Sequence, residues 1–219
     1  MKESTFRPPV AISFCLLFAV VFAIIATAIG RDMIDGFDRA IIDVVQGWEA
    51  PRLTSSMQVF TALGDTKVIM LFIVAVTAFL LLGVRARSQA YFFFFAMIGT
   101  GVLNQTLKFI FKRARPEFHR LAEAAGYSFP SGHTMMSFSL YTLFTYLLWR
   151  HLRSTAGRVI LVVFAVFMFG MIAVSRIYLG VHYPSDILGG MFASAFWLTL
   201  STMLFIQFEK REKSVLIQD

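Results

Sequence analysis

The chain is poor in cysteine: Cys15 is the only one among 219 residues, so no disulfide can form within it. Charge is also scarce. Asp, Glu, Lys and Arg make up 15% of the residues, against 58% that are hydrophobic, 25 of them Phe, and the mean hydropathy is +0.71. Those proportions exclude an ordinary soluble domain and place the chain in a bilayer. Acidic residues are the scarcer sign, 13 against 20 basic, which leaves a net charge of +7. The basic residues fall in short clusters beside apolar runs, a pattern that suits phosphate head groups and membrane topology and argues against a nucleic-acid partner. No His/Cys cluster and no paired carboxylates at metal-ligand spacing occur, so neither a metal nor another cofactor is expected. Without an internal repeat, low-complexity tract or Gly/Ser linker, residues 1–219 read as one domain.

What the chain has in quantity is apolar runs. Six of them, at about 10–29, 68–84, 90–107, 135–149, 159–174 and 187–208, approach the ~20 residues a helix needs to cross a ~30 Å hydrocarbon core. Some fall short of that length, which predicts that polar residues at their ends enter the helices at the membrane surface. The first run is about 20 residues long, has no convincing small-residue cleavage site before Arg31 and reads as a span, not a signal peptide. Backbone groups must be paired within lipid, and the runs do not show the ~10-residue alternating segments of a membrane barrel. The expected fold is therefore all-α, an integral membrane bundle of six transmembrane helices.

Lys and Arg set the expected orientation. Lys2, Arg7, Arg85, Arg87, Arg150, Arg153, Arg158, Lys210, Arg211 and Lys213 share one side if the spans alternate, and that side is expected to be cytoplasmic together with both termini. Two polar segments then lie outside. In 34–48, Ile34, Phe37, Ile41, Val44, Val45 and Trp48 recur at helical spacing with Asp35, Asp38, Arg39 and Asp43 on the other face, which predicts an interfacial helix between spans one and two. Such a helix could admit a lipid or simply pack on the bundle. The segment 112–129 is charged, lacks periodicity and reads as a loop over the outer mouth.

Chemistry gathers at three outer span ends. Lys108 to Pro116 is a cationic run beside hydrocarbon; alone, such residues often only snorkel to lipid phosphates. Pro130-Ser131-Gly132-His133 opens span four, where free N–H groups and the helix dipole suit an anion, although an ordinary N-cap with an interfacial His would look the same. Ser175 to Asp186 brings Arg176, His182 and Asp186 to membrane depth, where ionisable groups are costly unless paired or functional.

The three segments in that order (Lys108, six residues, Arg115-Pro116; Pro130-Ser131-Gly132-His133; Ser175-Arg176, five residues, His182, three residues, Asp186) resemble the signature of the type 2 phosphatidic acid phosphatase superfamily. The Leu63-Gly64-Asp65 turn and Gly126 to Phe129 are also similar to the family. Its bacterial phosphatidylglycerophosphate phosphatase B and undecaprenyl pyrophosphate phosphatase members have a comparable small size. The resemblance implies a metal-independent lipid phosphate phosphatase in which His182 is the nucleophile, oriented by Asp186, and His133 is the general acid and then the base. Lys108, Arg115 and Arg176 would clamp the phosphate oxygens, with Ser131 and the Gly132 N–H completing the cradle. The site would face outward.

Two other classes compete. An intramembrane serine hydrolase could use Ser131 with His182 and Asp186, but acyl transfer has no need of three cations. A non-catalytic lipid-phosphate binder or transporter would use the cations but not the two histidines. The expected partners are the membrane and a lipid phosphate such as phosphatidylglycerophosphate, undecaprenyl pyrophosphate or phosphatidic acid; the sequence specifies neither the lipid nor an oligomeric state.

Overall fold

The chain folds into eight α-helices in a computed structural model that describes residues 8–117, 119–149 and 151–216, with side chains to residue 209. They are α1 (Pro8–Gly30), α2 (Asp35–Gln46), α3 (Pro51–Leu63), α4 (Thr66–Ala78), α5 (Arg87–Phe111), α6 (Gly132–Trp149), α7 (Thr155–Tyr178) and α8 (Pro184–Leu216). No strand occurs among the described residues, and a π-helical turn at Phe79–Gly83 prolongs α4. The helices start where the chemistry allows: Pro51 at the first turn of α3 costs no hydrogen bond, and the Ser154 hydroxyl caps α7 by accepting from the Gly157 N–H at 3.0 Å.

Five helical segments among the described residues are long and apolar enough to cross a membrane: α1, α4 with its π-turn, α5, α7 and α8. The sixth expected span is α6, which reaches 18 residues but carries His133, Thr134, Ser137, Ser139, Thr142 and Thr145. Helix α8 is central, with 44% of its apolar stretch buried, whereas α1 buries only 6% and turns Leu16, Val20 and Ile24 outward. In lipid such packing relies on close fit, and small residues permit it. A Cβ on Gly99 of α5 would lie 2.0 Å from the Trp197 ring of α8, whose Nε1–H donates to the Ala96 carbonyl at 2.8 Å.

The short-span expectation is met. Lys108 lies in the last turn of α5, His133 in the first of α6, Arg176 in the last of α7 and Asp186 in the first of α8. Of the clusters expected to mark the cytoplasmic side, Lys2, Arg7 and Arg150 lie outside the described residues, as do the side chains of Lys210, Arg211 and Lys213.

Helix α2 is present as expected, and its buried stripe coincides only in part with the expected apolar face. Phe37, Val44 and Trp48, assigned to the apolar side, are exposed, whereas Asp38 is buried beside Ile42 and Val45. Positions 38, 42 and 45 form one stripe at i, i+4, i+7 that packs on α7 and α8. Sequence reading also missed α3, whose polar Thr54, Ser55, Ser56 and Gln58 hide any periodicity. Tyr178 ties it to α7, pairing hydroxyls with Thr54 at 2.8 Å and accepting from the Ala50 N–H at 3.2 Å.

Candidate active site

Helix α5 ends because Lys112 takes a left-handed conformation, φ 46°, and the chain turns back over the bundle in a loop to α6. The Leu121 N–H donates to Leu179 at 3.0 Å and the Ser128 N–H to Arg113 at 2.8 Å, so the loop is pinned to the α7–α8 turn and to its own start. That turn needs Gly180: its φ is +70°, and a Cβ there would meet the His119 carbonyl at 2.4 Å. The three motifs therefore converge at one end of the bundle.

His182 sits in this turn, 2% exposed, with both ring nitrogens in use. Nδ1 lies 3.1 Å from Asp186 Oδ2 and Nε2 lies 3.0 Å from Arg115 Nη1. A carboxylate only accepts and a guanidinium only donates, so Nδ1 carries the proton and Nε2 presents a lone pair. Burial pushes the His182 pKa down to about 4 despite the opposing pull of Asp186, which leaves the ring neutral at physiological pH.

Asp186 is fully buried and fully engaged. Oδ1 accepts from Arg113 Nη1 at 2.7 Å, while Oδ2 accepts from His182, the Tyr183 N–H at 3.0 Å and the Ser128 hydroxyl. Arg113 also donates to Asp38 Oδ2 at 2.9 Å and to the Ser185 hydroxyl at 2.7 Å. Burial pulls the Arg113 pKa down, but Asp186 and Asp38 outweigh it and hold the guanidinium above its ordinary value.

Lys108, Arg115, Gly132, His133, Arg176 and His182 line one cavity of about 930 Å³. The Arg115 guanidinium is set by the carbonyls of Ala125, Gly126 and Val181 at 2.8–3.0 Å, none of which cancels its charge. Arg176 donates from Nη1 to the Thr61 hydroxyl at 2.5 Å, and its Nε has no hydrogen-bond partner among the described residues. His133 Nε2 lies 3.1 Å from Asp65 Oδ1, and its ring packs on Gly64, where a Cβ would fall 2.9 Å away. The cavity continues between α4 and α5 past Met70, Ile73, Met97, Ile98 and Val102, an apolar extension next to a cationic end.

Of the predicted site residues, Ser131 and Asp186 do not line the cavity. Ser131 is fully buried at the start of α6, where its Oγ accepts from the Thr134 N–H at 3.4 Å and hydroxyl at 3.0 Å. The partners of His182 are Asp186, Arg115 and the Ser128 hydroxyl at 3.4 Å, so no contact joins a Ser131 nucleophile to a His182 base. Sequence reasoning missed Asp38, Arg113, Ser128, Thr61 and the contact of Asp65 with His133. Only burial of a carboxylate on an amphipathic helix distinguishes Asp38, and the sequence does not display burial. Among the described residues no group of three or more His, Cys, Asp or Glu could hold a metal.

Residues 89–210 match the model of the PAP2 superfamily, and they contain all three motifs. The chain is 31% identical over 172 residues to phosphatidylglycerophosphatase B of Bacillus subtilis, covering 77% of this chain and 83% of that protein. A putative undecaprenyl-diphosphatase of Escherichia coli is 38% identical over 96 residues, 42% of this chain and 44% of the relative. The crystal structure of a transmembrane PAP2-type phosphatidylglycerolphosphate phosphatase from Bacillus subtilis superposes with a TM-score of 0.79 at 27% identity, over 90% of this chain and 96% of that one. The fold, the motif order and a family match over more than half the chain agree: this chain belongs to the PAP2 superfamily.

Proposed function

We propose that the protein is a membrane lipid phosphate phosphatase that works through a phosphohistidine on His182. The observation that carries this is the neutral His182 itself, its Nδ1 proton held by Asp186 and its Nε2 lone pair at a cavity lined by Lys108, Arg115 and Arg176. In the first step Nε2 attacks phosphorus in line, the bond from phosphorus to the lipid oxygen breaks, and His133 gives that oxygen its proton. Asp186 stabilises the charge that develops on the His182 ring. In the second step His133 takes a proton from water, the hydroxide attacks phosphorus, the P–N bond breaks and inorganic phosphate leaves. The three cations and the Gly132 N–H at the N-terminus of α6 oppose the charge of the loose transition state, a task a metal performs elsewhere, while Ser131, outside the cavity, holds the start of α6 through Thr134.

The substrate's tails would lie in the apolar extension between α4 and α5. Phosphatidylglycerophosphate, undecaprenyl pyrophosphate and phosphatidic acid all present the phosphate this cradle reads. The termini lie in the cytoplasm and the site faces outward: Lys and Arg divide ten to ten between the two ends, but Lys108, Arg115 and Arg176 at the site's end belong to the phosphate cradle and others there lie in the long 112–129 loop, which leaves the topogenic excess at the opposite end. Full-length protein in detergent should release phosphate from such lipids, with His182→Ala and His133→Ala each slower by several orders of magnitude. Undiminished turnover by His182→Ala would end the phosphohistidine reading; a dead Ser131→Ala with no trappable phosphohistidine would favour a serine hydrolase.

A further inference from the structure

We infer that Arg113 and Asp38 are positioning residues for phosphoryl transfer, extending the His182–Asp186 pair into a buried chain that ends on helix α2. The inference rests on the phosphohistidine reading, because it concerns how His182 is aimed.

Charge accounting makes the first link. Asp186 is wholly buried beside a neutral imidazole, and a buried carboxylate left in that state is costly. Its ion-pair partner is Arg113, at 2.7 Å on Oδ1. Arg113 does not line the cavity, unlike Lys108, Arg115 and Arg176, so it is placed to hold a protein carboxylate and not a phosphate. With Oδ1 fixed by Arg113 and Oδ2 held by the Tyr183 N–H and the Ser128 hydroxyl, the carboxylate cannot rotate, and Oδ2 stays aimed at His182 Nδ1.

The second link fixes Arg113 in turn. Asp38 Oδ2 takes Arg113 Nη2 at 2.9 Å and the Ser185 hydroxyl at 2.6 Å, while Oδ1 takes the Ser185 N–H at 2.8 Å. That N–H is one of the free donors of the first turn of α8, so one carboxylate caps the helix that carries Asp186 and clamps the guanidinium that holds it. The Tyr183 ring closes the remaining side, its centroid 4.1 Å from the guanidinium carbon. A chain of buried ion pairs is weak support for stability, since apolar replacements often do as well, whereas orientation of a reacting group requires such fixed geometry.

The test uses full-length protein in detergent, phosphate release from phosphatidic acid, and quenched single-turnover formation of phosphohistidine from labelled lipid. Arg113→Gln should lower kcat and phosphohistidine formation on the order of 100-fold, in the range found when a group that orients a reacting ligand is lost, with KM within about threefold. Arg113→Lys should recover part of the loss. Asp38→Asn and Ser185→Ala should give smaller losses of the same kind, and adding Asp38→Asn to Arg113→Gln should cost little more, because the two act through one chain. Wild-type kcat in Arg113→Gln, a rise in KM that matches the fall in kcat, or losses that multiply in the double variant would each overturn the assignment. If Arg113→Gln fails to fold, Ser185→Ala and Asp38→Asn decide: a lowered melting temperature with wild-type kcat in both refutes a positioning role. His182→Ala in the same assay separates the two levels, since activity there refutes the phosphohistidine itself.

Discussion

Asp186→Asn is isosteric, yet no orientation of the new amide satisfies the site. The carboxylate now accepts from Arg113 on Oδ1 and from His182, the Tyr183 N–H and Ser128 on Oδ2. With the amide oxygen toward His182, its NH2 would oppose the Arg113 guanidinium, two donors facing each other with one of them charged. With the oxygen toward Arg113, the stronger charge-assisted bond survives and this orientation wins. The NH2 then faces the Tyr183 N–H and His182 Nδ1. The imidazole can answer only by moving its proton to Nε2, which removes the lone pair that attacks phosphorus. The same tautomer reversal in a serine protease triad costs about 10⁴ in kcat, or about 5.4 kcal/mol, and a loss of about 10³–10⁴ is expected here. A small residual activity should remain, because the other tautomer stays accessible at an energetic cost. Phosphate release from phosphatidic acid in micelles, with size exclusion to confirm folding, measures it. A kcat within about tenfold of wild type would refute the idea that Asp186 sets the tautomer of His182.

Activity should persist in excess chelator, and vanadate should inhibit by forming a trigonal-bipyramidal adduct on His182; loss in chelator restored by Mg²⁺ would refute a metal-free cradle. Because His182 is held neutral down to about 4, its nucleophilicity should be lost only as pH falls through that value, so the acid limb that reports His182 lies well below the ordinary imidazole range. The unfolded chain binds this proton near 6.5, so His182 also makes stability fall as pH drops from about 6.5 toward about 4; a stability profile flat over that window, with the same profile in His182→Ala, would contradict it. In a background lacking Cys15, single cysteines at Arg120 and Ser154 test orientation in intact cells with an impermeant thiol reagent. Labelling at 120 and not at 154 is expected, and the reverse would turn the site to the cytoplasm without touching its chemistry.

Much of the fold is legible because lipid allows so few solutions. A run of about 20 apolar residues has to be helical there, and five such runs recur as helices that are one to four residues longer at each described end in most cases. Helix α6 is recognisable by length and less so by hydropathy, since its inward side is lined by buried Thr134, Ser137 and Ser139. The interfacial region is harder. Helix α3 has no strong periodicity to detect, and α2 has a clear one that marks its buried side only in part: Val45 is buried, but Phe37, Val44 and the adjoining Trp48 lie outward, where a membrane surface would receive them. A hydrophobic face means interior in water, but at an interface it can equally mean lipid.

The same ambiguity explains which site residues are legible. Lys108, Arg115, Arg176, His133 and His182 are recognisable because ionisable groups at span ends are conspicuous against apolar sequence. Arg113 sits in the same cationic run as Arg115 but outside the spacing that singles Arg115 out, and Asp38 lies in a polar segment where charge is expected, although they are as deeply involved: Arg113 bridges Asp38 and Asp186 at 2.9 and 2.7 Å. Their counterparts in the cavity leave donors for a ligand, as Arg176 illustrates with an Nε that has no partner among the described residues, whereas the contacts of Asp186 are spent within the protein. On the proposed mechanism, a phosphatase working without a metal needs both kinds of charge, one set open to the substrate and one closed around the partner of His182. The open set has to lie where the chain meets lipid, which is why the sequence exposes it, and the closed set can be recruited from any loop that folds back on the site.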